Sequence, residues 1–279
     1  MPLAAVLTES APAKINLALH VTGRRADGYH LLDSIVAFAK LGDVLHLTRA
    51  AETTLEITGP FAHRLQAGDE ENLVLKAVAG LKNLLPALPH VNIRLEKHLP
   101  VSSGIGGGSA DAAAALRGLM RLSGLSPHPQ ALMELALSLG ADVPVCLKSQ
   151  ASRMCGIGED VTPLHVPAMP ALIVNPGEPC NTQDVFRRLA LKDGLPPIAD
   201  TTNLAACRND LQAPAMEGLP VIRQVLERLE ALEGAWLSRM SGSGATCFAL
   251  FADQAQAQRA AETLRAAKPH WWIEETRIG

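Results

Sequence analysis

The 279-residue chain holds no uncharged apolar run of the ~18 residues that a membrane span requires, and its N-terminal stretch, MPLAAVLTESAPAKINL, has neither a basic leader nor a sustained apolar segment. These absences lead to the expectation of a cytoplasmic protein that does not engage a membrane. Charge of one sign is lacking too. A formal net charge of −3 gives no electrostatic reason to expect nucleic acid or an anionic surface as a partner. Cysteine is sparse, and the five residues at 146, 155, 180, 207 and 247 are odd in number, scattered and without C-x-x-C spacing. That pattern excludes a disulfide framework and a zinc site, and reads as reduced thiols in or near a core. There is no internal repeat and no low-complexity tract. What remains, 48% apolar, is enough for one large or two moderate domains with real cores.

Against that plain background one stretch stands out, PVSSGIGGGSADAAAAL at residues 100–116. Glycines at 104, 106, 107 and 108 leave main-chain N–H groups uncovered, and Ser109 reads as the N-cap of an alanine-rich helix with Asp111 in its first turn. A helix start reached through exposed glycine backbone is a site for phosphate. It is not a P-loop, because no Lys-Ser or Lys-Thr follows the glycines. Nor is it a dinucleotide fingerprint, because Ser109 stands where a third glycine belongs and Pro100 interrupts the approach. A flexible loop before a surface helix is the plain alternative, but such a loop needs neither a cap nor a strong helix behind it.

The rest of the chain frames this loop. Residues 11–21, APAKINLALHV, alternate as a half-buried strand that places Lys14 and Asn16 on one face, which on spacing alone describes a solvated face as readily as a site. A turn at Asp27-Gly28 follows, then Tyr29, the only tyrosine, and His30. Strands are expected at 44–49, 54–58 and 91–96, and a helix at 72–85 capped by Asn72. A helix over 129–139 stops at Gly140, and Val143-Pro144 is read as extended, which sets Asp142 at a helix-to-strand corner where it either caps main chain or acts chemically. A strand at 171–175 leads to a helix that Thr182 caps, with Phe186 on the same face; core packing is the default for that ring. Residues 192–200 carry no motif. An amphipathic helix spans 220–232, and WLSRMSGSGATCFALF at 236–251 is a second glycine loop between strands. Asp253 caps a helix to about 267, and a strand at 271–276 follows.

The string P-V-S-S-G-I-G-G-G-S-A-D-A-A resembles the phosphate loop of the galactokinase, homoserine kinase, mevalonate kinase and phosphomevalonate kinase (GHMP) superfamily. The stretch PAKINLALHVTGRRADGYHLLDSIV narrows the resemblance to the family of kinases that act on 4-diphosphocytidyl-2-C-methyl-D-erythritol in non-mevalonate isoprenoid synthesis. LGADVPVCL and the second glycine loop match two further motifs. The resemblance implies an α+β, two-domain GHMP-kinase fold, with residues 1–160 as the ATP-binding domain, 161–279 as the substrate side and the active site in the cleft between them. It implies that Pro100, Ser103, Gly104, Gly106, Gly107, Gly108, Ser109 and Ala110 hold ATP, with Ser109 near Mg2+, and that Asn72, Leu73 and Lys97 lie beside the adenine. Asp142 would be the base, assisted by Lys14, which would keep the carboxylate ionised and polarise the hydroxyl. Asn16 would line the centre, Tyr29 and His30 would hold the cytosine, and Thr182 and Phe186 would complete the substrate pocket. The partner is thus a small molecule, with the chain a monomer or weak homodimer. The competing readings are another small-alcohol kinase of the superfamily, of homoserine or mevalonate type, and a nucleotide-binding module without catalysis.

Overall fold

Strand β1 (Leu7–Arg24) extends the expected strand in both directions, and β2 (His30–Arg49) pairs with it after a turn in which Gly28 takes φ +95° and Asp27 Oδ1 accepts from the Tyr29 N–H. The computed structural model describes residues 6–65, 72–191 and 193–279. Residues 1–5 of the N-terminal stretch, residues 66–71 and Lys192, at the head of the motif-poor segment, lie outside them. Contacts divide the chain into two interleaved units: one gathers Met1–Ala13, Leu41–Val101 and Gly106–Ser149, the other Lys14–Lys40, Ser102–Ile105 and Gln150–Gly279. Both β1 and β2 lend residues to each.

In the first unit, β3 (Thr54–Thr58) lies parallel to β4 (Val91–Glu96), which pairs antiparallel with the end of β2, Leu55 opposite Ile93 and Leu45 opposite Leu95. Helices α1 (Leu73–Leu84), α2 (Gly107–Ser123), α3 (Pro129–Leu139) and α4 (Val143–Lys148) complete it. The Asn72 side chain accepts from Val74 N–H at the start of α1, and α3 stops at Gly140, both as the sequence indicates. Ala112 to Ala115 are all fully buried, so α2 is an enclosed helix rather than an amphipathic one. Buried Glu9 pairs with Arg121 and, at 3.4 Å, with Arg117, whose guanidinium also reaches the Cys146 and Ser10 carbonyls, tying α2 to β1 and α4. Residues 143–148 correct the expectation of a strand. Val143 and Pro144 occupy the first turn of a helix, where proline's fixed φ and missing N–H cost nothing.

In the second unit, β5 (Ser152–Gly156) joins β6 (Asp160–Pro163) to the start of β2, while β7 (Met169–Asn175) lies antiparallel between β10 (Trp272–Ile278) and β9 (Cys247–Phe251), with β8 (Ala235–Met240) beyond β9. Its helices are α5 (Thr182–Leu189), α6 (Gln212–Gly218), α7 (Val221–Glu230) and α8 (Gln254–Ala267), the last capped by Asp253 as expected. Ile222, Val225 and Leu229 of α7 and Ala257, Ala261 and Leu264 of α8 share a core with Leu172, Val174 and Phe251. Each large apolar side chain so buried contributes about 1.5–3 kcal/mol. All five cysteines are free thiols, four of them buried.

Asp33, 3% exposed, fastens β2 to β5 and to the segment near residue 198: its carboxylate accepts from Arg153 Nε and Nη2 at 2.8 and 2.7 Å and from Ile198 N–H at 2.8 Å. Burial pushes its pKa up, but the Arg153 and Ile198 hydrogen bonds and the Arg153 charge outweigh it and hold it below the ordinary value. A carboxylate depressed on folding stabilises above its unfolded pKa, and that contribution is lost as pH falls through the folded value. Asp33→Asn is therefore expected to cost about 2–3 kcal/mol at neutral pH, less than a fully buried pair because Arg153 is partly solvated. The difference from wild type should shrink as thermal melts are taken down to about pH 2.

Candidate active site

In the second unit, Lys14 and Asn16 are both buried, at 3% and 0% exposure, so the solvated-face reading of their strand fails. Lys14 Nζ donates to Asn16 Oδ1 at 2.8 Å, Asn16 Nδ2 to Ser34 Oγ at 2.8 Å, and Ser34 Oγ to the Ala18 carbonyl at 2.6 Å. Because Ser34 gives its one proton to a carbonyl, it can only accept from Asn16, which fixes the amide with its oxygen toward Lys14. The Asn16 N–H donates to Ser241 Oγ at 3.1 Å, and that hydroxyl donates to the Gly104 carbonyl at 3.0 Å. Lys14 N–H also donates to Ile105 O, and Thr246 N–H to Ser103 O. The strand carrying Lys14, residues 102–105 of the first glycine loop and the second glycine loop are thus one hydrogen-bonded junction. Gly104 has φ +76°, and a Cβ there would lie 2.6 Å from the Ser241 carbonyl oxygen and 2.7 Å from that of Gly244.

The proposed base-recognition residues lie in this unit as well. The His30 and Phe186 rings stack with centroids 4.6 Å apart and planes 25° from parallel. Burial, and then the Arg24 charge, lower the His30 pKa, which favours a neutral imidazole. Tyr29, next to this stack in sequence, is 62% exposed. Thr182 is not the cap of α5. Asn181 takes that role, accepting from the Gln183 and Asp184 N–H groups, because it is the last residue with extended backbone before the helix. Thr182 Oγ1 is left to bond Ser243 Oγ at 2.7 Å, which brings Thr182 to the second glycine loop.

In the first unit, α2 begins differently from the expectation. Gly106, in the left-handed region at φ +66°, is its N-cap, so Ser109 is the third helical residue and Asp111 lies beyond the first turn. The first helical bond runs from Ala110 N–H to Gly106 O at 2.8 Å, which leaves the N–H groups of Gly107, Gly108 and Ser109 without helical partners. A Cβ on Gly108 would meet only Leu73 Cδ1, at 3.6 Å, and one on Gly140 would lie 3.8 Å from Ser109 Oγ, so Leu73, Ser109 and Gly140 gather about this helix start. Asp142 caps α4 by position, without a side-chain capping bond. Pro100 is buried ahead of the loop. Lys97, 2% exposed, donates to Asp43 and, at 2.7 Å, to Asp111. Burial pushes the Asp111 carboxyl up to about 7, with the Lys97 charge opposing it. Asp43 and the Ser241 hydroxyl escaped sequence reasoning. Asp43 carries no local signal, its partner being 54 positions away, whereas Ser241 sits in a loop already singled out.

The GHMP kinases N terminal domain model matches residues 72–150, and the GHMP kinases C terminal model residues 197–270. The chain is 49% identical to 4-diphosphocytidyl-2-C-methyl-D-erythritol kinase of Nitrobacter winogradskyi, over 99% of this chain and 95% of that one. It is also 49% identical to the kinase of that name from Paramagnetospirillum magneticum, over 96% and 97%. A crystal structure of 4-(cytidine 5'-diphospho)-2C-methyl-D-erythritol kinase superposes with a TM-score of 0.84 at 35% identity, covering 98% of this chain and 99% of that one. Homoserine kinase from Cytophaga hutchinsonii, at 19% identity and a TM-score of 0.70 over 99% and 96% of the two chains, shares the fold.

The two loop glycines are expected to respond differently to a methyl group. Gly104→Ala should destabilise by about 2–4 kcal/mol, from overpacking against main-chain oxygens in a left-handed conformation. Gly108→Ala, with room for its Cβ, should stay within about 0.5 kcal/mol of wild type in denaturant melts.

Proposed function

The chain belongs to the GHMP kinase family, and within it to the 4-diphosphocytidyl-2-C-methyl-D-erythritol kinases, and from that membership we propose that it moves the γ-phosphoryl group of ATP to the 2-hydroxyl of 4-diphosphocytidyl-2-C-methyl-D-erythritol, a step toward isoprenoid precursors in the non-mevalonate pathway. The observation that carries the reading is the Ser241 junction, which holds the strand of Lys14 and Asn16 against the first glycine loop. The N–H groups at the start of α2, which have no helical partners, and the space beside Gly108 fit a polyphosphate.

ATP supplies the phosphoryl group when bound. Gly107, Gly108 and Ser109 would donate N–H bonds to its phosphates, with Pro100, Ser103, Gly104, Gly106 and Ala110 shaping the loop around them. Mg2+ keeps most of its water and takes few protein ligands beside phosphate, so the single hydroxyl of Ser109 is a fitting donor. Asn72 and Leu73, beside this helix start, are assigned to the adenine. Asp142 would accept the alcohol proton, and Lys14, oriented by Asn16, would hold that carboxylate ionised and polarise the hydroxyl. Asp142 belongs to the first unit and Lys14 to the second, and the proposal assigns both to one reaction.

Tyr29, His30, Thr182 and Phe186 are assigned to the cytidine end. The neutral imidazole stacked on Phe186 offers a flat apolar face with ring nitrogens at its edge, which suits a pyrimidine. We assign residues 1–160, apart from the Tyr29–His30 pair, to ATP and 161–279 to the substrate, a division supported by the two family matches on either side of residue 160. The chain is read as acting in the cytoplasm, where ATP is supplied, as a monomer or weak homodimer, and without nucleic acid, for which a net charge of −3 offers no attraction. Among the described residues no helix is long and apolar enough to cross a membrane.

The reading is tested by coupled assay of ADP release from Mg-ATP. Turnover is expected with the cytidyl alcohol and not with homoserine or mevalonate, and Asp142→Asn should lower kcat by about 10²-fold or more. ATP binding without turnover on any alcohol would favour the non-catalytic module. For the cytidine end, Phe186→Ala should raise KM for the cytidyl alcohol about tenfold, at the loss of ~1–1.5 kcal/mol of ring stacking, while KM for ATP holds.

A further inference from the structure

Lys97 is the last residue before the glycine loop and Asp111 stands just beyond its far end, in the second turn of α2. The two are bonded across the loop at 2.7 Å, and the same ammonium binds Asp43 of β2. Asp43 does more than balance charge. Its second oxygen accepts from the N–H groups of His98 and Leu99, at 2.6 and 2.8 Å, the first residues of the loop itself. All three side chains are at least nine-tenths buried, and the group lies directly under Gly107: a Cβ there would be 3.5 Å from Lys97 Nζ and 3.8 Å from Asp43 Oδ2.

The arrangement is costly for stability alone. Two carboxylates share one cation, and Asp111 Oδ1 is buried with no hydrogen-bond partner among the described residues. Replacing a buried ionic group by apolar side chains is often neutral or stabilising, so such a group is weak as a stability device. Its value lies in what it holds in place. With the ammonium buried and bound to two carboxylates, Lys97 is built as a tie between backbone segments and not as a ligand contact.

We propose that Lys97, Asp43 and Asp111 form a buried staple that holds the two stems of the glycine loop together and aims the N–H groups of Gly107, Gly108 and Ser109, making all three positioning residues for the nucleotide phosphates. The proposal rests on the reading of this loop as the ATP cradle, and it moves Lys97 from the adenine to the base of the loop. Removing Lys97 would strand two buried carboxylates and endanger the fold, so the informative variant is Asp111→Ala. It deletes the carboxylate with the orphan oxygen, leaves Lys97 paired with Asp43, and cuts the tie to α2.

The experiment compares wild type and Asp111→Ala by steady-state kinetics, thermal melts and amide hydrogen exchange of residues 98–109. The variant is expected to melt no lower than wild type, yet to raise KM for MgATP about tenfold while KM for the alcohol stays within about twofold. Its loop amides should exchange faster in the absence of any nucleotide. An unchanged KM for MgATP with unchanged exchange overturns the staple. So does a lowered melting temperature with both KM values rising together, which marks a general structural role. Because exchange requires no substrate, it decides the staple independently: a wild-type enzyme that turns over no ATP sinks the kinase reading, while faster exchange in the variant still supports the tie.

Discussion

A single hydroxyl organises the second unit. Ser241 Oγ has one proton and can accept as well as donate, and it uses both capacities: it accepts from Asn16, 225 positions away, and donates to Gly104, 137 positions away. The surrounding bonds from Lys14 N–H to Ile105 O and from Thr246 N–H to Ser103 O are main chain to main chain. The orientation of Lys14 therefore owes much to backbone register, passed on through the Asn16 amide and Ser34. A buried Asn16 N–H without its acceptor costs about 1–3 kcal/mol, enough to make this junction the feature on which the local arrangement turns.

Buried charge is handled differently at Asp33, Lys97 and Arg239, and each orders a different part of the chain. Asp33 meets a guanidinium in a fork, Lys97 meets two carboxylates, and Arg239, 6% exposed, meets the carbonyls of Leu17, Leu204 and Cys207. Burial draws the Arg239 pKa down, yet five donors spread over a rigid plane suit three carbonyls from separate segments as no ammonium would. Through Arg239 the turn at 204–207 is fixed to β1. Two residues on, Asn209 donates to Met240 O and Gly242 O and so steadies the second glycine loop. A stretch that is irregular in sequence is in this way held by side chains bonding to main chain.

What was legible in the sequence was local. Caps at Asn72 and Asp253, the stop at Gly140 and the inward face of α7 are signals contained within three or four residues, and each appears as read. Errors arose where two local signals competed. Gly106 rather than Ser109 starts α2, because a left-handed glycine can end the approach before any hydroxyl is needed; Asn181 rather than Thr182 caps α5; and Pro144 opens a helix instead of extending a strand. The burial of Lys14 and Asn16 was not legible from alternation, since a strand covered on both faces keeps its period while losing its solvent side. The roles assigned to site residues came from resemblance to a family, and the tie between Asp43, Lys97 and Asp111, which spans up to 68 positions, had no trace in spacing at all.

The approach of the two glycine loops has a consequence for how this protein can vary. A Cβ on Gly104 would meet the Ser241 and Gly244 carbonyls, and one on Gly242 would lie 2.6 Å from the Gly104 carbonyl. The obstacle in each direction is peptide backbone, which is the same whatever residue is encoded. Damage at most packed sites can be repaired by shortening a neighbour, but here there is no side chain to shorten. Substitutions at Gly104 or Gly242 therefore have no second-site suppressor in the opposing loop, and the two loops can change only by shifting their main chains together.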